Sequence, residues 1–208
     1  LAASVADVAD AVGLLMQERG VKLELRLPPA GEAAVIGDRD QILQVIQNLL
    51  DNAAKYSAPG AAVRIEVATG LDLVRAQAAE APALAGVTAG WSRLPILTPD
   101  HSNGERYALL KVVDAGPGIA REHLPRLAER FYRVEGQKSG ERSGTGLGLA
   151  IVKHIVNRHR GGLTVESMLG KGSAFSAYFP MRPAPAVQRA PEPAAAQHRP
   201  LVAVTKTS

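Results

Sequence analysis

SGTGLGLAIVKHI, from Ser143 to Ile155, places glycines at positions 144, 146 and 148 directly before a helical pattern. Glycine tolerates positive φ angles and close backbone approach, so a loop of this composition can wrap polyanionic oxygens. The helix that follows points its unsatisfied N–H groups and the positive end of its dipole toward the loop. The stretch therefore predicts a phosphate-binding loop. Taken alone, a plain glycine turn at a helix start is the alternative.

The spacing of these glycines excludes two common nucleotide motifs. A P-loop needs Lys and then Ser or Thr directly after its last glycine, whereas Leu149 and Ala150 follow Gly148. A dinucleotide fingerprint needs its third glycine three positions after the second, whereas Gly148 comes two positions after Gly146. The partners of the glycine loop must therefore come from other parts of the chain.

A second glycine motif, DAGPGI at 114–119, follows a segment at 107–113 that is apolar almost throughout and is predicted to be a strand. Asp114 then lies where a strand leaves the core, and its carboxylate can accept a hydrogen bond from an exocyclic amine such as that of adenine. Guanine carries a carbonyl at that edge, which would repel the carboxylate. Gly116 and Gly118 let the backbone turn closely around a flat ring. The alternative is a β-turn in which Asp and Gly serve turn geometry alone.

A third motif is the helical pattern DRDQILQVIQNLLDNAAKYS at 38–57. Asp38 can cap this helix, and Gln41 three residues later completes a capping-box-like start. Apolar residues at helical spacing lie on one side of the helix and are predicted to face the core. They are Ile42, Ile46, Leu49, Leu50 and Ala53.

The opposite side of this helix carries Asn48, Asn52 and Lys55. A solvated face would usually carry Glu, Lys and Arg, because Asn is a poor residue in the middle of a helix. Amide oxygens suit Mg²⁺ that phosphates already hold, and an ammonium group suits phosphate charge. The face is therefore a candidate for metal and phosphate binding, with a plain surface face as the alternative.

Together these motifs resemble the ATP-binding domain of sensor histidine kinases, a branch of the GHKL ATPase superfamily. The N box is NLLDNAAKY at 48–56, the first glycine box is DAGPG at 114–118, the F box is ERFYRV at 129–134 and the second glycine box is GTGLGL at 144–149. GKGSAF at 170–175 is similar to the last glycine motif of the superfamily. The stretches FYRVE and AIVKHIVNRHRGGL are most similar in sequence to phosphate-regulon sensor kinases of bacteria.

The resemblance covers about residues 1–181 and implies a fold, a reaction and two ligands. The implied fold is an α/β two-layer sandwich in which a mixed, mostly antiparallel sheet packs against helices on one face. The implied ligands are ATP and Mg²⁺. The implied nucleotide-binding positions are Asn48, Asn52, Lys55, Tyr56, Asp114, Gly116, Gly118, Ile119, Phe131, Arg133, Gly144, Thr145, Gly146, Leu147, Gly148, Leu149 and Ser173.

Within this resemblance each polar residue has an implied role. Asp114 would bind the exocyclic amine of adenine, and Tyr56 would line the nucleotide. Asn52 would hold Mg²⁺, with Asn48 as the second candidate metal ligand and Lys55 close to the phosphates.

The implied reaction is phosphoryl transfer, with Asn48, Lys55 and Arg133 as candidate catalytic residues. Arg133 is the candidate for contact with the γ-phosphate, and Arg130 is the alternative. The polar segment 134–143 is expected to be a mobile lid over the triphosphate.

The composition is consistent with a bacterial domain in a reducing compartment such as the cytoplasm. The chain has no cysteine, and no apolar run approaches the ~20 residues of a membrane helix. Its net charge of +4 lacks the interleaved aromatic residues that nucleic-acid binding would favour. Because the chain begins at Leu1 without Met, we expect a fragment of a longer protein. The resemblance implies a parent kinase anchored at the inner membrane, and we expect the isolated domain to be a monomer.

The rest of the chain is predicted in outline. The predicted elements are a helix at 1–20, strands at 21–27 and 62–68, a helix near 121–129, and a hairpin of 163–167 with 174–179. The segment 70–105, rich in Ala, Pro and Gly, is longer than the family pattern and is predicted to be an insertion with Trp91 as its anchor. The Pro/Ala-rich tail at 182–208 is predicted to be disordered.

No histidine in the chain matches a phosphoacceptor, which is usually followed by an acid on a dimerising helix hairpin. The five are His101, His123, His154, His159 and His198. We therefore expect the acceptor His on a separate dimerisation domain and a response regulator downstream. The alternatives are a serine kinase of the anti-sigma-factor type and a non-catalytic nucleotide-binding module. The F box argues against the former, and the complete set of motifs argues against the latter.

Overall fold

Helices and a mixed sheet make up the computed structural model, which describes residues 1–78, 90–99, 104–134 and 145–182. The helices are α1 (Ala2–Glu18), α2 (Arg39–Tyr56), α3 (Leu73–Gln77) and α4 (Gly148–Arg158), with a 3₁₀ helix, η1, at Arg121–Arg126. The strands are β1 (Lys22–Arg26), β2 (Ala62–Leu71), β3 (Ser92–Leu97), β4 (Tyr107–Asp114), β5 (Gly162–Met168) and β6 (Gly172–Pro180).

The described strands form one sheet in the order β1-β2-β4-β6-β5-β3. β1 pairs with β2 in parallel, and the other neighbouring strands pair antiparallel. The predicted mixed, mostly antiparallel sheet is therefore confirmed. The register places Asp114, the last residue of β4, opposite Ser173 near the start of β6.

The main core lies between one face of this sheet and the helices α1, α2 and α4. Because side chains alternate along a strand, every second residue of the central strands reaches this core. The apolar side of α2 packs here as predicted, with Ile42, Ile46, Leu49, Leu50 and Ala53 all buried.

The N-terminus of α2 is joined to the C-terminal end of α4 by a histidine. The Asp38 carboxylate accepts hydrogen bonds from the backbone N–H groups of Asp40 and Gln41, at 2.9 and 3.1 Å. The predicted capping box is only half formed, because the N–H of Asp38 donates to Nε2 of His159 at 3.0 Å. Nδ1 of His159 lies 2.8 Å from the carbonyl oxygen of Ile155. His159 therefore has a structural position that fixes the two helices relative to each other.

The segment predicted to be an insertion contributes two elements to the fold. α3 packs on the sheet face opposite the main core, where Ala76 joins a small cluster with Tyr107 and Tyr178. β3 pairs with β5 and forms an edge of the described sheet, and half-buried Trp91 directly precedes it. Residues 79–89 and 100–103 of this segment, and the predicted tail from 183 onward, lie outside the described residues.

The same sheet face contains a buried charge network. The ammonium of Lys111 lies 2.6 Å from the Glu166 carboxylate, and both side chains are 2% exposed. The other carboxylate oxygen of Glu166 accepts from the Arg93 guanidinium at 2.6 and 2.8 Å. Removing one partner of such a pair leaves a charge without full compensation in the interior.

Lys111→Met is expected to lower the free energy of unfolding by about 3 kcal/mol, because Glu166 would keep only the partly exposed Arg93 as its counter-ion. Urea denaturation measures this loss. The matched control is Arg64→Met, which removes the cross-strand pair with Glu24 at the more exposed end of the sheet. That variant should lose no more than about 1 kcal/mol. Equal losses in the two variants would show that burial does not make the Lys111 pair more important for the free energy of unfolding than an exposed pair.

Candidate functional site

A cavity of about 300 Å³ opens between α2, the start of α4 and the ends of β4 and β6. Most of the residues predicted to bind nucleotide line it. They are Asn48, Asn52, Lys55, Tyr56, Asp114, Gly118, Ile119, Arg133, Thr145, Gly146, Gly148, Leu149 and Ser173.

Four predicted positions are not among the lining residues. Gly116 lies directly behind the cavity, where a side chain would meet the carbonyl oxygen of Tyr56 at 2.7 Å. Leu147 is the N-cap residue of α4, and Phe131 is exposed. Gly144 lies outside the described residues, as does the predicted lid except for Val134.

Asp114 is a buried carboxylate at the base of the cavity, with 7% of its surface exposed. Burial raises its pKa to about 6, and hydrogen bonds from the backbone of Gly116 and Ser173 partly oppose that rise. The bond from the Gly116 N–H measures 2.8 Å. At neutral pH the carboxyl group is therefore mainly ionised, and it can only accept hydrogen bonds.

The backbone around Asp114 packs too closely for side chains at two glycines. Gly172 has a φ of 120°, and Gly118 has a φ of 71°. A Cβ atom at Gly172 would collide with the carbonyl oxygen of Asp114, and one at Gly118 would collide with that of Met168. Glycine is therefore required at both positions, and the base of the cavity is built from closely packed main chain.

The amides of α2 face the first turn of α4. Nδ2 of Asn48 donates to the carbonyl oxygen of Gln44 at 2.8 Å, so the other amide atom, Oδ1, remains for the cavity. That oxygen lies 3.3 Å from the position that a Cβ of Gly148 would occupy, and Nδ2 of Asn52 lies 3.8 Å from it. Gly148 therefore brings the N-terminus of α4 close to both amides.

The F box presents Tyr132 to the cavity instead of Phe131. Phe131 has a φ of 66°, is 71% exposed and is not among the lining residues, so its binding of nucleotide stays a prediction. Its N–H donates to the carbonyl oxygen of Gly146 at 3.0 Å, which ties the F box to the second glycine box. The Tyr132 hydroxyl lies 2.7 Å from Nδ1 of His123. Of the two aromatic residues of the F box, Tyr132 lines the cavity and Phe131 is exposed.

The two arginine candidates of the F box differ in position. Arg133 lines the cavity, whereas Arg130 is exposed and is not among the lining residues. Within the described residues Arg133 and Lys55 form no salt bridge. Both cations line the cavity, and the Lys55 ammonium lies 5.1 Å from the centre of the Tyr56 ring.

Several lining residues were not predicted. They are Asp51, Pro117, Leu127, Tyr132, Val134 and Phe175. Asp51 follows the apolar pair of the N box and could have been found from its place between two asparagines. Burial raises the pKa of Asp51, and the nearby Arg19 guanidinium opposes that rise. Leu127 adds apolar wall that no local motif identifies, and Phe175 adds more from the end of the GKGSAF motif, of which only Ser173 was predicted to bind.

The family of the chain follows from a match over residues 37–183 to the model for histidine kinase-, DNA gyrase B- and HSP90-like ATPases. The chain belongs to this family. Within it, the similar curated proteins are sensor kinases. The phosphate regulon sensor protein PhoR of Pseudomonas aeruginosa is 51% identical over 89 residues, which cover 42% of this chain and 20% of that protein. The sensor histidine kinase CusS of Escherichia coli is 35% identical over 184 residues, covering 88% and 30% respectively.

Solved structures agree with this assignment. A mycobacterial sensor histidine kinase, MprB, has a TM-score of 0.58 at 26% identity and covers 88% of this chain and 97% of its own. ShkA in complex with AMPPNP has a TM-score of 0.59 at 20% identity, covering 87% of this chain and 30% of its own, and shows the fold alone. The domain is therefore a histidine-kinase-type ATPase domain. The chain spans between 20% and 30% of the length of the curated relatives PhoR and CusS.

Asp114→Asn is expected to change how stability depends on pH. The folded-state pKa of about 6 lies above the ordinary 3.8, so ionisation of Asp114 destabilises the fold as pH rises between those values. Asn has no charge to acquire. The free energy of unfolding of the variant minus that of the parent chain should therefore increase by about 3 kcal/mol from pH 3.5 to pH 7.5.

Urea denaturation at several pH values measures this difference. The control is Asp10→Asn, which removes an exposed carboxylate of α1 and should run parallel to the parent chain. If the free energy of unfolding of the Asp114 variant changes with pH as that of the parent chain does, burial does not make ionisation of this carboxyl group unfavourable.

Proposed function

We propose that this chain is the catalytic ATP-binding domain of a two-component sensor histidine kinase, and that it donates the γ-phosphoryl group of ATP to a histidine on a separate dimerisation domain. The observation that carries the proposal is the convergence of three motifs on one cavity. The amides and ammonium of α2, the buried carboxylate of Asp114 and the glycine loop before α4 all reach the same space.

The adenine would lie at the Asp114 end of the cavity. An ionised carboxylate accepts a hydrogen bond from an exocyclic amine and disfavours a carbonyl at the same place. Ile119, Leu127 and Phe175 provide apolar surface around this end, which suits a flat aromatic ring.

The triphosphate would lie between α2 and the start of α4. The helix N-terminus at Gly148 offers backbone N–H groups and a positive dipole end to the phosphates. Lys55 and Arg133 would add positive charge, with Arg133 the candidate for the γ-phosphate.

Mg²⁺ fits the donor set of α2 as a metal that phosphates hold in part. Among the described residues no cluster of three or more His, Cys, Asp or Glu could bind a metal ion by itself. The Oδ1 atom of Asn48 is left free for the cavity, and Asn52 lies one turn further along α2. These neutral oxygens would complete the shell of an ion that neutralises phosphate charge.

The reaction would transfer the γ-phosphorus from its bridging oxygen on ADP to a ring nitrogen of the acceptor histidine. A P–O bond breaks, a P–N bond forms, and the electron pair of the broken bond leaves on ADP. Side chains of this chain would contribute positioning and positive charge and no covalent intermediate.

The partners in this proposal are the dimerisation domain with the acceptor histidine and a response regulator. The similarity to sensor kinases such as PhoR and CusS supports both. Among the described residues no helix has the length and hydropathy to cross a bilayer. We place the domain in the cytoplasm and its parent kinase at the inner membrane. A serine-kinase activity of the anti-sigma-factor type is disfavoured by the same comparisons.

Calorimetric titration of the chain with ATP and with GTP, each with Mg²⁺, tests this function. ATP should bind and GTP should bind much more weakly. Asp114→Asn should weaken ATP binding roughly tenfold to a hundredfold, because it removes a charged acceptor worth about 1.5–3 kcal/mol. Phosphate transfer to a supplied histidine-hairpin domain is the next step. Equal binding of ATP and GTP would remove the role given to Asp114.

Asn52→Ala is expected to leave metal-free binding of ATP unchanged and to remove the gain in affinity that Mg²⁺ provides. The measurement is a pair of ATP titrations, one with Mg²⁺ and one with EDTA. Gln47→Ala is the matched control, since it removes an exposed amide from the same helix. If Mg²⁺ strengthens binding equally in the parent chain and the Asn52 variant, that amide is not a metal ligand.

A further inference from the structure

Ser167 is a buried serine of β5 that lies behind the cavity wall and makes three hydrogen bonds through one hydroxyl group. Its residue is 1% exposed and is not among the lining residues. Its Oγ lies 2.8 Å from the backbone N of Ile119, 2.9 Å from the carbonyl oxygen of Gly172 and 2.9 Å from Oγ of Ser173.

The direction of each of these bonds follows from the hydrogens available. A serine hydroxyl has one hydrogen and two lone pairs. The carbonyl of Gly172 can only accept, so Ser167 donates its hydrogen there, and the N–H of Ile119 can only donate, so it takes one lone pair. If the Ser167 hydrogen pointed to Ser173 instead, the Ser167 Oγ and the Gly172 carbonyl oxygen would lie 2.9 Å apart with no hydrogen between them. Ser173 therefore donates its hydrogen to Ser167.

This direction decides what Ser173 can offer a ligand. Its only hydrogen is committed to Ser167, so it presents lone pairs to the cavity, which it lines together with Asp114. Ser173 and Asp114 are opposite each other in the pairing of β6 with β4, and both are buried. The two side chains thus form a wall that only accepts hydrogen bonds.

We propose that Ser167 is a positioning residue for base specificity: it orients the Ser173 hydroxyl as an acceptor, so that the wall favours a purine with an exocyclic amine over one with a carbonyl. This inference rests on the proposed function, because it assumes that the cavity binds a purine nucleotide. A serine without the Ser167 bond could rotate and donate to a carbonyl oxygen. A buried site that can present only acceptors would leave that carbonyl without a partner.

Selectivity between ATP and ITP measures this role, because inosine replaces the amine of adenine with a carbonyl and the N1 acceptor of its ring with an N–H, and carries no additional 2-amino group. The readout is the Kd of ITP divided by the Kd of ATP, each with Mg²⁺. Ser167→Ala should lower this ratio by about tenfold, which is the effect of one hydrogen bond. The control is Ser176→Ala, which removes a fully buried serine of β6 whose hydroxyl has no hydrogen-bond partner in the part of the chain that the structure describes. That control should leave the ratio unchanged.

Ser173→Ala gives a second test, in which the direction of the change in this Kd ratio decides. This test does not depend on the folding of the Ser167 variant. If Ser173 is an acceptor for an amine, its removal weakens ATP more than ITP and lowers the ratio. If Ser173 instead donates to the carbonyl oxygen of ITP, its removal raises the ratio, and the proposal is wrong. In the double variant, Ser167→Ala should add nothing to the effect of Ser173→Ala, because no hydroxyl is left to orient. Additive effects would overturn the positioning role.

These outcomes separate the inference from the function on which it rests. If the parent chain binds neither nucleotide, both fail. If the parent chain prefers ATP and Ser167→Ala leaves the ratio at its original value, the proposed function stands and the role of Ser167 is refuted. Thermal denaturation of each variant with and without ATP verifies that the titrated chains are folded.

Discussion

A carboxylate removed almost completely from solvent is the constraint around which this site is built. The Asp114 carboxylate is buried at the end of β4, and its raised pKa reports the strain of holding a charge there. Backbone N–H groups of Gly116 and Ser173 stabilise it, and Gly172 lets the neighbouring strand approach closely enough to close the wall. Such a group is retained against its cost in stability when a ligand needs it, which is why perturbed carboxylates mark functional sites.

Two helices supply the rest of the site, and their separation is fixed far from it. His159 joins the start of α2 to the end of α4, and an aromatic contact with Phe179 at 6.0 Å holds the ring against the sheet. At the other end of the same two helices, the first residue of α4 is Gly148. Because it has no side chain, the N-terminus of α4 comes close to the α2 amides. The ligand space is therefore a gap between rigid elements, which keeps the polar groups preorganised.

Local pattern was sufficient for much of this fold and site. The apolar period and the Asp38 cap located α2, and the apolar run before Asp114 located β4, because these signals depend on residues close in sequence. The partner of the Asp38 N–H is 121 residues away, so no capping rule could find it. Phe131 has a positive φ although it is not a glycine, and the sequence pattern gives no signal for such a backbone conformation. The Lys111–Glu166 pair likewise depends on register between strands.

Asp114 and Ser173 differ in charge, and they would therefore contribute differently to the binding of a ligand. Asp114 supplies a charge, which is strong but could be protonated in acid, since its pKa is about 6. In the proposed site, Ser173 would supply a neutral acceptor that Ser167 orients and that does not depend on that titration. Selectivity that relied on the carboxylate alone would weaken as the pH falls below that value. A second acceptor, fixed by buried hydrogen bonds, would give the proposed site a base preference that survives protonation of Asp114.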